Sequence, residues 1–257
     1  MRLQTLVSGV QLNTAGVAEK MNLQSDAIVI NQCDCNDYSE YEYNGHTIKC
    51  YSFAERGVGL SRNNALLRAD ADIILFSDED IVYEDGYADS IIKAFEDRPN
   101  ADMLLFNVDV QADRATYYTQ AETKIHRLNC GRYPAYSFAC KTKAIHDRNI
   151  TYSLLFGGGA KYSNGEDSLF IQDCVKGGMK IWALPIHIGK EVPRPSTWFE
   201  GYTDKFFYDR GVLYHYMYGS MAYILALRFL FKNKNTMLKE RSFSDAYRLM
   251  KKGICIK

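Results

Sequence analysis

Several things are absent from this sequence, and each absence excludes something. No secretory signal opens it at MRLQTLVSG, and its seven cysteines are odd in number and not spaced as a framework. A disulfide scaffold is therefore not expected, and a reducing cytoplasm is the simplest setting. Cys33 and Cys35 lack a second Cys/His pair at zinc spacing and read as free thiols after a strand. Net charge is absent too: 31 Lys+Arg balance 31 Asp+Glu, and no nucleic-acid partner is expected. The triple glycine at 157–159 lacks the Gly-Lys-Ser/Thr ending of a P-loop. No stretch reads as a bilayer-spanning helix, because His215, Ser220 and Arg228 interrupt the one candidate at residues 212–231.

What is present suits one large α/β domain with an appendage: 257 residues, 47% apolar and 24% charged. Its most informative stretch is residues 55–86, ERGVGLSRNNALLRADADIILFSDEDIVYEDG. A glycine-spaced turn (Gly57, Gly59) leads through Ser61-Arg62-Asn63 into a short helical pattern. A helix opening at a Ser61 cap, with Arg62 beside it, suits an anionic, phosphate-like group. Ile73-Ile74-Leu75-Phe76 then reads as a strand buried on both faces, and Asp78 and Asp80 follow at its end. Carboxylates at that edge can hold a hard divalent cation, Mn²⁺ or Mg²⁺, which in turn holds a diphosphate.

The other elements follow from apolar runs and turn residues. Strands are expected at residues 3–10, 25–33, 46–53, 103–110 and 179–188, and helices at 14–21, 87–95 and after 165. Alternation of strand and helix calls for right-handed crossovers and a mostly parallel sheet. Residues 37–45 read as a loop or irregular link, and 111–155 as a loop-rich region with many aromatic and basic residues. Phe156-Gly157-Gly158-Gly159-Ala160 reads as a flexible approach to the helix that opens at Gly165-Glu166-Asp167. Asp167 in that first turn has two explanations: a carboxylate favouring the helix dipole behind an Asn164 cap, or a chemical role.

The order of glycine turn, Arg-Asn helix, apolar strand, Asp-x-Asp and a later Glu-Asp pair resembles glycosyltransferase family 2, enzymes of the GT-A fold. The resemblance implies an inverting, metal-dependent transfer of a sugar from a nucleotide-diphosphate donor to a hydroxyl of a glycan or lipid-linked acceptor, in cell-surface polysaccharide synthesis. Asp167 would be the catalytic base, with Glu166 and Trp198 on the acceptor side. Asp78 and Asp80 would ligate the metal, with His187 as a third ligand. Ser8, Asn31, Asp34, Arg62, Asn63 and Asp78 would hold the nucleotide sugar. This chain departs from the family's Pro-Tyr-Asn-like opening and from its acidic pair after the second strand. The implied catalytic domain covers residues 1–190, a nucleotide-sugar half to about 110 and an acceptor half from 111, and residues 191–257 form a lid loop and a helical extension. Two rival functions remain open, nucleotidyl transfer and a non-catalytic nucleotide-binding scaffold.

Charge is unevenly spread. Residues 211–257 carry nine Lys/Arg against two acidic residues, a net +7, leaving −7 on residues 1–210. Residues 212–231 with the lysines after them suit an interfacial helix on anionic lipid headgroups, at the inner face of the cell membrane. A helix packed on the core, or on a second copy of the chain in a homo-oligomer, explains the same residues.

Overall fold

The apolar run at Ile73–Phe76 lies at the centre of the structure, each of its four side chains fully buried. In the computed structural model, which describes residues 1–111, 117–193, 201–239 and 241–256, the chain begins with β1 (Leu3–Val10), α1 (Val17–Met21), β2 (Asp26–Gln32), β3 (Asp37–Tyr43) and β4 (His46–Phe53). It continues through α2 (Val58–Arg68), β5 (Ile73–Asp78), β6 (Ile81–Tyr83), α3 (Tyr87–Glu96), β7 (Met103–Asp109) and β8 (Thr123–Lys124). Then come β9 (Phe138–Lys141), α4 (Thr142–His146), α5 (Glu166–Lys176), β10 (Ile181–Glu191), α6 (Asp204–Tyr218), α7 (Ala222–Met237) and α8 (Phe243–Ile254).

The strands form one sheet in the order β3-β4-β2-β1-β5-β9-β7-β10-β6, with β8 beside β10. Its pairings make β1, β2, β4, β5, β7 and β10 mutually parallel and set β3, β6, β8 and β9 against them. Side chains alternate between the faces. Leu6, Ile28 and Phe76 meet α2 and α5 on one side, whereas Val7, Val29 and Leu75 meet α1 and α3 on the other. Phe76 packs edge-on to Tyr152 and Phe170, 5.3 and 5.4 Å away. Burial of such a ring stabilises the fold by about 1.5–3 kcal/mol.

Four expectations are corrected. Residues 37–45 are not a loop: β3 pairs with β4 through a two-residue Asn44-Gly45 turn whose φ values, 50° and 80°, suit the twist of a hairpin. The region 111–155 is not merely loop-rich, because β9 inserts antiparallel between β5 and β7. The helix expected behind a Ser61 cap starts four residues earlier, with Gly57 as its cap, and Ser61 lies fully buried inside it. The single helix expected over 212–231 is broken at Gly219 into α6 and α7. Val212, Leu213 and Met217 of α6 join the main core, so that half of the stretch is not an interfacial surface. Among the described residues no helix is long and apolar enough to cross a membrane.

At only four residues, β9 pairs with no more than Ile73–Leu75 on one side and Met103–Leu105 on the other. Beyond those residues β5 and β7 run on without a strand between them, leaving a gap at the C-terminal edge of the sheet.

Candidate active site

Strand order reverses between β1 and β5, because β1 leads outward through β2 and β4 before the chain returns to β5. Ligands of open α/β sheets bind outside the C-terminal strand ends at such a switch point. Ser8 and Asp78 are register partners there and therefore share a face, the one covered by α2.

From that helix Arg62 reaches over the strand ends, only 4% exposed. Its Nη2 donates to Asp78 Oδ1 at 3.0 Å, and its Nη1 donates to Asp167 Oδ1 at 2.6 Å and Glu166 Oε1 at 3.2 Å. Burial alone would lower the guanidinium, but Asp167 and then Asp78, Tyr152 and Glu166 outweigh it and hold the group well above its ordinary value. Three carboxylates on one cation leave about two negative charges unbalanced if all are ionised. Such an excess either takes up a proton or attracts a divalent cation.

Of the three, Asp167 is the carboxyl most strongly pushed toward its protonated form. Burial pushes its carboxyl up to about 7, against the pull of Arg62 and with a push from Glu166. Its Oδ2 accepts the Ala135 N–H at 2.9 Å, which fixes the rotamer. Asn164 is not the cap: α5 is capped by Gly165 with no side-chain bond, and Glu166 Oε2 accepts the Gly165 N–H, while Asp167 keeps its place in the first turn, where it also favours the helix dipole. The glycine loop ahead of it is packed rather than a loose approach. Gly157 has φ +102°, and a Cβ there would lie 2.6 Å from Val58 Cγ1 and 2.9 Å from Glu166 Cδ. The Gly158 carbonyl accepts the Val58 N–H and Gln32 Oε1 accepts the Gly57 N–H, so these two N–H groups at the start of α2 are already paired.

The other expected residues separate into those near this centre and those holding the scaffold. Ser8 is buried, and its Oγ finds no partner among the described residues, as does Arg62 Nε. Asn31 is spent on the fold, accepting from Leu12 N at 2.8 Å and donating to Ser52 Oγ at 3.1 Å. Asn63 likewise pairs both amide ends with the Tyr152 backbone, at 2.9 and 2.7 Å. Asp34 is an exposed carboxylate beyond β2, tied to Arg56 at 2.8 Å and Gln11 at 3.1 Å. Trp198 lies outside the described residues.

For a divalent cation, Asp78 and Asp80 offer hard oxygen donors at the strand end, and Asp80 is 4% exposed. His187 stands elsewhere, Nδ1 2.9 Å from Glu84 and Nε2 3.3 Å from Asp109. Among the described residues no three His, Cys, Asp or Glu side chains gather to form a metal cage. The two aspartates still fit a magnesium-like ion, which is commonly held by one or two carboxylates and completed by substrate phosphates. The surplus negative charge around Arg62 favours the same occupant.

Groups that pattern did not single out are backbone ones: the Ala135 N–H on Asp167 and the Tyr152 carbonyl on Asn63. Backbone donors carry no side-chain signature, so only the fold exposes them.

Glycosyl transferase family 2 matches residues 17–155, more than half of the chain. Among solved structures, S. aureus TarS 1–349 in complex with UDP-GlcNAc shares 14% identity at a TM-score of 0.64, over 93% of this chain and 74% of that one. The same TarS segment in complex with UDP gives 14% and 0.62, over 95% and 77%. Another S. aureus TarS structure gives 15% and 0.58, with 45% of its chain covered. At these identities the likeness is one of fold, a helix-flanked sheet of the GT-A kind. No curated protein matches the chain.

Proposed function

The chain belongs to glycosyl transferase family 2, and on that premise we propose an inverting transfer of a sugar from a nucleotide-diphosphate donor to a hydroxyl of a glycan or lipid-linked acceptor, in polysaccharide assembly. One observation carries this: a single buried guanidinium joins the Asp-x-Asp carboxylate, Asp78, to the Glu-Asp pair from a distant part of the sequence. Helix capping would not bring those two motifs together.

Asp167 takes the proton of the acceptor hydroxyl as its oxygen attacks the anomeric carbon from the face opposite the diphosphate. The bond from that carbon to the departing oxygen breaks, its electron pair leaves with the diphosphate, and configuration inverts. A base titrating at about 7 is matched to this task near neutral pH. Arg62 and the Ala135 N–H aim its two oxygens. Asp78 and Asp80 would hold Mn²⁺ or Mg²⁺, which would neutralise charge on the departing diphosphate. Asp34, exposed beyond β2, is assigned to the nucleoside hydroxyls, with Ser8, Asn31 and Asn63 shaping the crevice behind it. Trp198 is assigned to the acceptor side. His187, between two carboxylates, is the weakest candidate metal ligand.

The TarS complexes with UDP-GlcNAc and UDP make uridine diphosphate sugars the first donors to try. Melting-temperature shifts should be measured for a panel of nucleotide sugars with and without Mn²⁺. At least one should stabilise the chain in a Mn²⁺-dependent way, and Asp80→Asn should cut transfer by orders of magnitude without unfolding the protein. Unchanged transfer by Asp80→Asn, or full activity in EDTA, would remove the metal from the mechanism.

A further inference from the structure

Two of the cysteines meet. Cys33 follows the end of β2 and Cys35 lies two positions on, both in the link of residues 33–36 that leads to β3. Their Sγ atoms are 3.7 Å apart, and Cys33 Sγ is also 3.2 Å from the Cys35 carbonyl oxygen. Elsewhere burial pushes the thiols of Cys50 and Cys130 up to about 11 and raises those of Cys140 and Cys174 as well, so these four stay protonated inside the core. Cys33 behaves differently. A hydrogen bond from the Cys35 backbone, and then the Cys35 and Ser52 side chains, pull its thiol below the ordinary value although partial burial opposes them. The Cys33 sulfur in turn raises the thiol of Cys35, so the first proton to leave the pair is that of Cys33.

A thiolate beside an exposed thiol is what thiol–disulfide exchange requires. A low-molecular-weight disulfide reaches Cys35 first, since Cys35 is exposed and Cys33 only 6% so. The Cys35 sulfur attacks it, and one half leaves as a thiolate that takes up the Cys35 proton. The Cys33 sulfur then attacks Cys35 Sγ, the second half leaves and takes up the proton lost from Cys33, and the two protein sulfurs are joined. Two protein thiols are oxidised and one small disulfide is reduced to two thiols. To bond, the Sγ atoms close from 3.7 Å to about 2.0 Å.

The residue inside that bridge is Asp34. Its two oxygens accept from Arg56 Nη2 at 2.8 Å and Gln11 Nε2 at 3.1 Å, and the Cys33 carbonyl accepts from Arg56 Nη1 at 2.6 Å. The link is pinned on either side, where Cys33 N–H donates to the Phe53 carbonyl at 3.0 Å and Asn36 Oδ1 accepts the Ala54 N–H at 2.9 Å. Closure therefore moves Asp34 and Cys35 between fixed points and turns the Asp34 carboxylate from its partners.

We propose that Cys33 and Cys35 form a reversible redox site, closed by exchange with a low-molecular-weight disulfide, and that closure displaces Asp34 and weakens nucleotide binding. The effect on the nucleotide rests on the assignment of Asp34 to the nucleoside hydroxyls, whereas the redox site does not. The full chain is equilibrated with oxidised or reduced glutathione, alkylated and mapped by peptide mass. In the oxidised sample Cys33 and Cys35 should be joined to each other without glutathione, and dithiothreitol should return both thiols. Cys33→Ser should trap glutathione on Cys35, because the sulfur that expels it is gone. Free thiols at both positions in excess oxidised glutathione, or glutathione retained on Cys35 of the wild type, would overturn the redox site. UDP affinity by titration calorimetry should be roughly tenfold weaker in the oxidised wild type than in the reduced one, the loss of one charge-assisted hydrogen bond. In Cys35→Ser, whose melting curve confirms folding, it should be the same with either form of glutathione. Equal affinity in the two wild-type forms, or none in either, would overturn the displacement of Asp34. Failure of the transferase function would show separately, as a reduced chain that binds UDP yet releases no nucleotide from any nucleotide sugar.

Discussion

Asp167 shares one guanidinium with two other carboxylates, and its behaviour with pH should show it. In the folded chain burial keeps its proton on up to about pH 7, whereas in the unfolded chain an aspartate releases it near ~3.9. Between those values the folded state binds more protons, so stability falls as pH rises through that window. Asp167→Asn removes the titration: the urea midpoint of the variant should fall less between pH 4 and 7 than that of the wild type. Transfer by the variant should drop ~10²–10⁴-fold, and the wild-type rise of kcat/KM with pH through about 7 should be missing from whatever activity remains. A variant that transfers at the wild-type rate would show that Asp167 is not the base. At this scale the two acidic motifs were legible in the sequence, because carboxylate spacing is itself the signal. Asn63 and Asn31 were not. Asn63 looks like a ligand contact until Tyr152, 89 positions away, arrives to take both ends of its amide. Ser61 looked like a cap because the actual partners of the α2 N-terminus, Gln32 and Gly158, come from other parts of the chain.

Elements were legible where the period was clean and obscured where tertiary pairing decides. The strand at His46–Phe53 and the helix at Tyr87–Glu96 follow from apolar spacing alone. The four residues of β9 are too few for periodicity, and the strand exists because β5 and β7 flank it. In β3 the alternation is masked by an exposed edge, although Asn44-Gly45 carried the hairpin signal. The same tertiary dependence governs where α6 crosses α8. A glycine inside a helix normally gains about 0.8–1.0 kcal/mol when changed to alanine. At Gly211 the sign should reverse, because a Cβ there would collide with the Met250 carbonyl, just as one at Gly253 would collide with that of Tyr208. Overpacking of this kind costs roughly 1–3 kcal/mol. Gly211→Ala and Gly253→Ala should therefore each lower the urea midpoint, while Gly219→Ala, at a glycine with a φ of +54° and nothing within 4 Å among the described residues, tests backbone strain in place of a collision. An increase in stability for Gly211→Ala would mean that the two helices do not pack this closely.

At the scale of the molecule, charge and apolar surface separate together. Residues 211–257 carry +7 on a body of −7, and α6 spends its apolar face on the core, which narrows any interfacial role to the helix after it. Along α7 only Ala222, Ala226 and Leu230 are buried. Ile224 and Phe231 remain 69% and 62% exposed, with Arg228, Lys232 and Lys234 on the same helix. Apolar side chains beside basic ones suit a surface of anionic lipid, where each lysine or arginine contributes up to about 1 kcal/mol. Electrostatic attachment weakens as salt rises, since the Debye length is already only about 8 Å at physiological strength, whereas packing against a second copy of the chain would be nearly indifferent to it. The two are separated with intact protein, because removing α6 would expose the core. The full chain should sediment with anionic vesicles at low salt and not with neutral ones, lose that binding as salt increases, and lose it again in an Ile224→Glu, Phe231→Glu double variant that keeps its melting temperature. Sedimentation that ignores lipid charge, or a wild type whose mass in solution doubles where the variant's does not, would assign the α7 face to a protein partner and end the lipid interpretation.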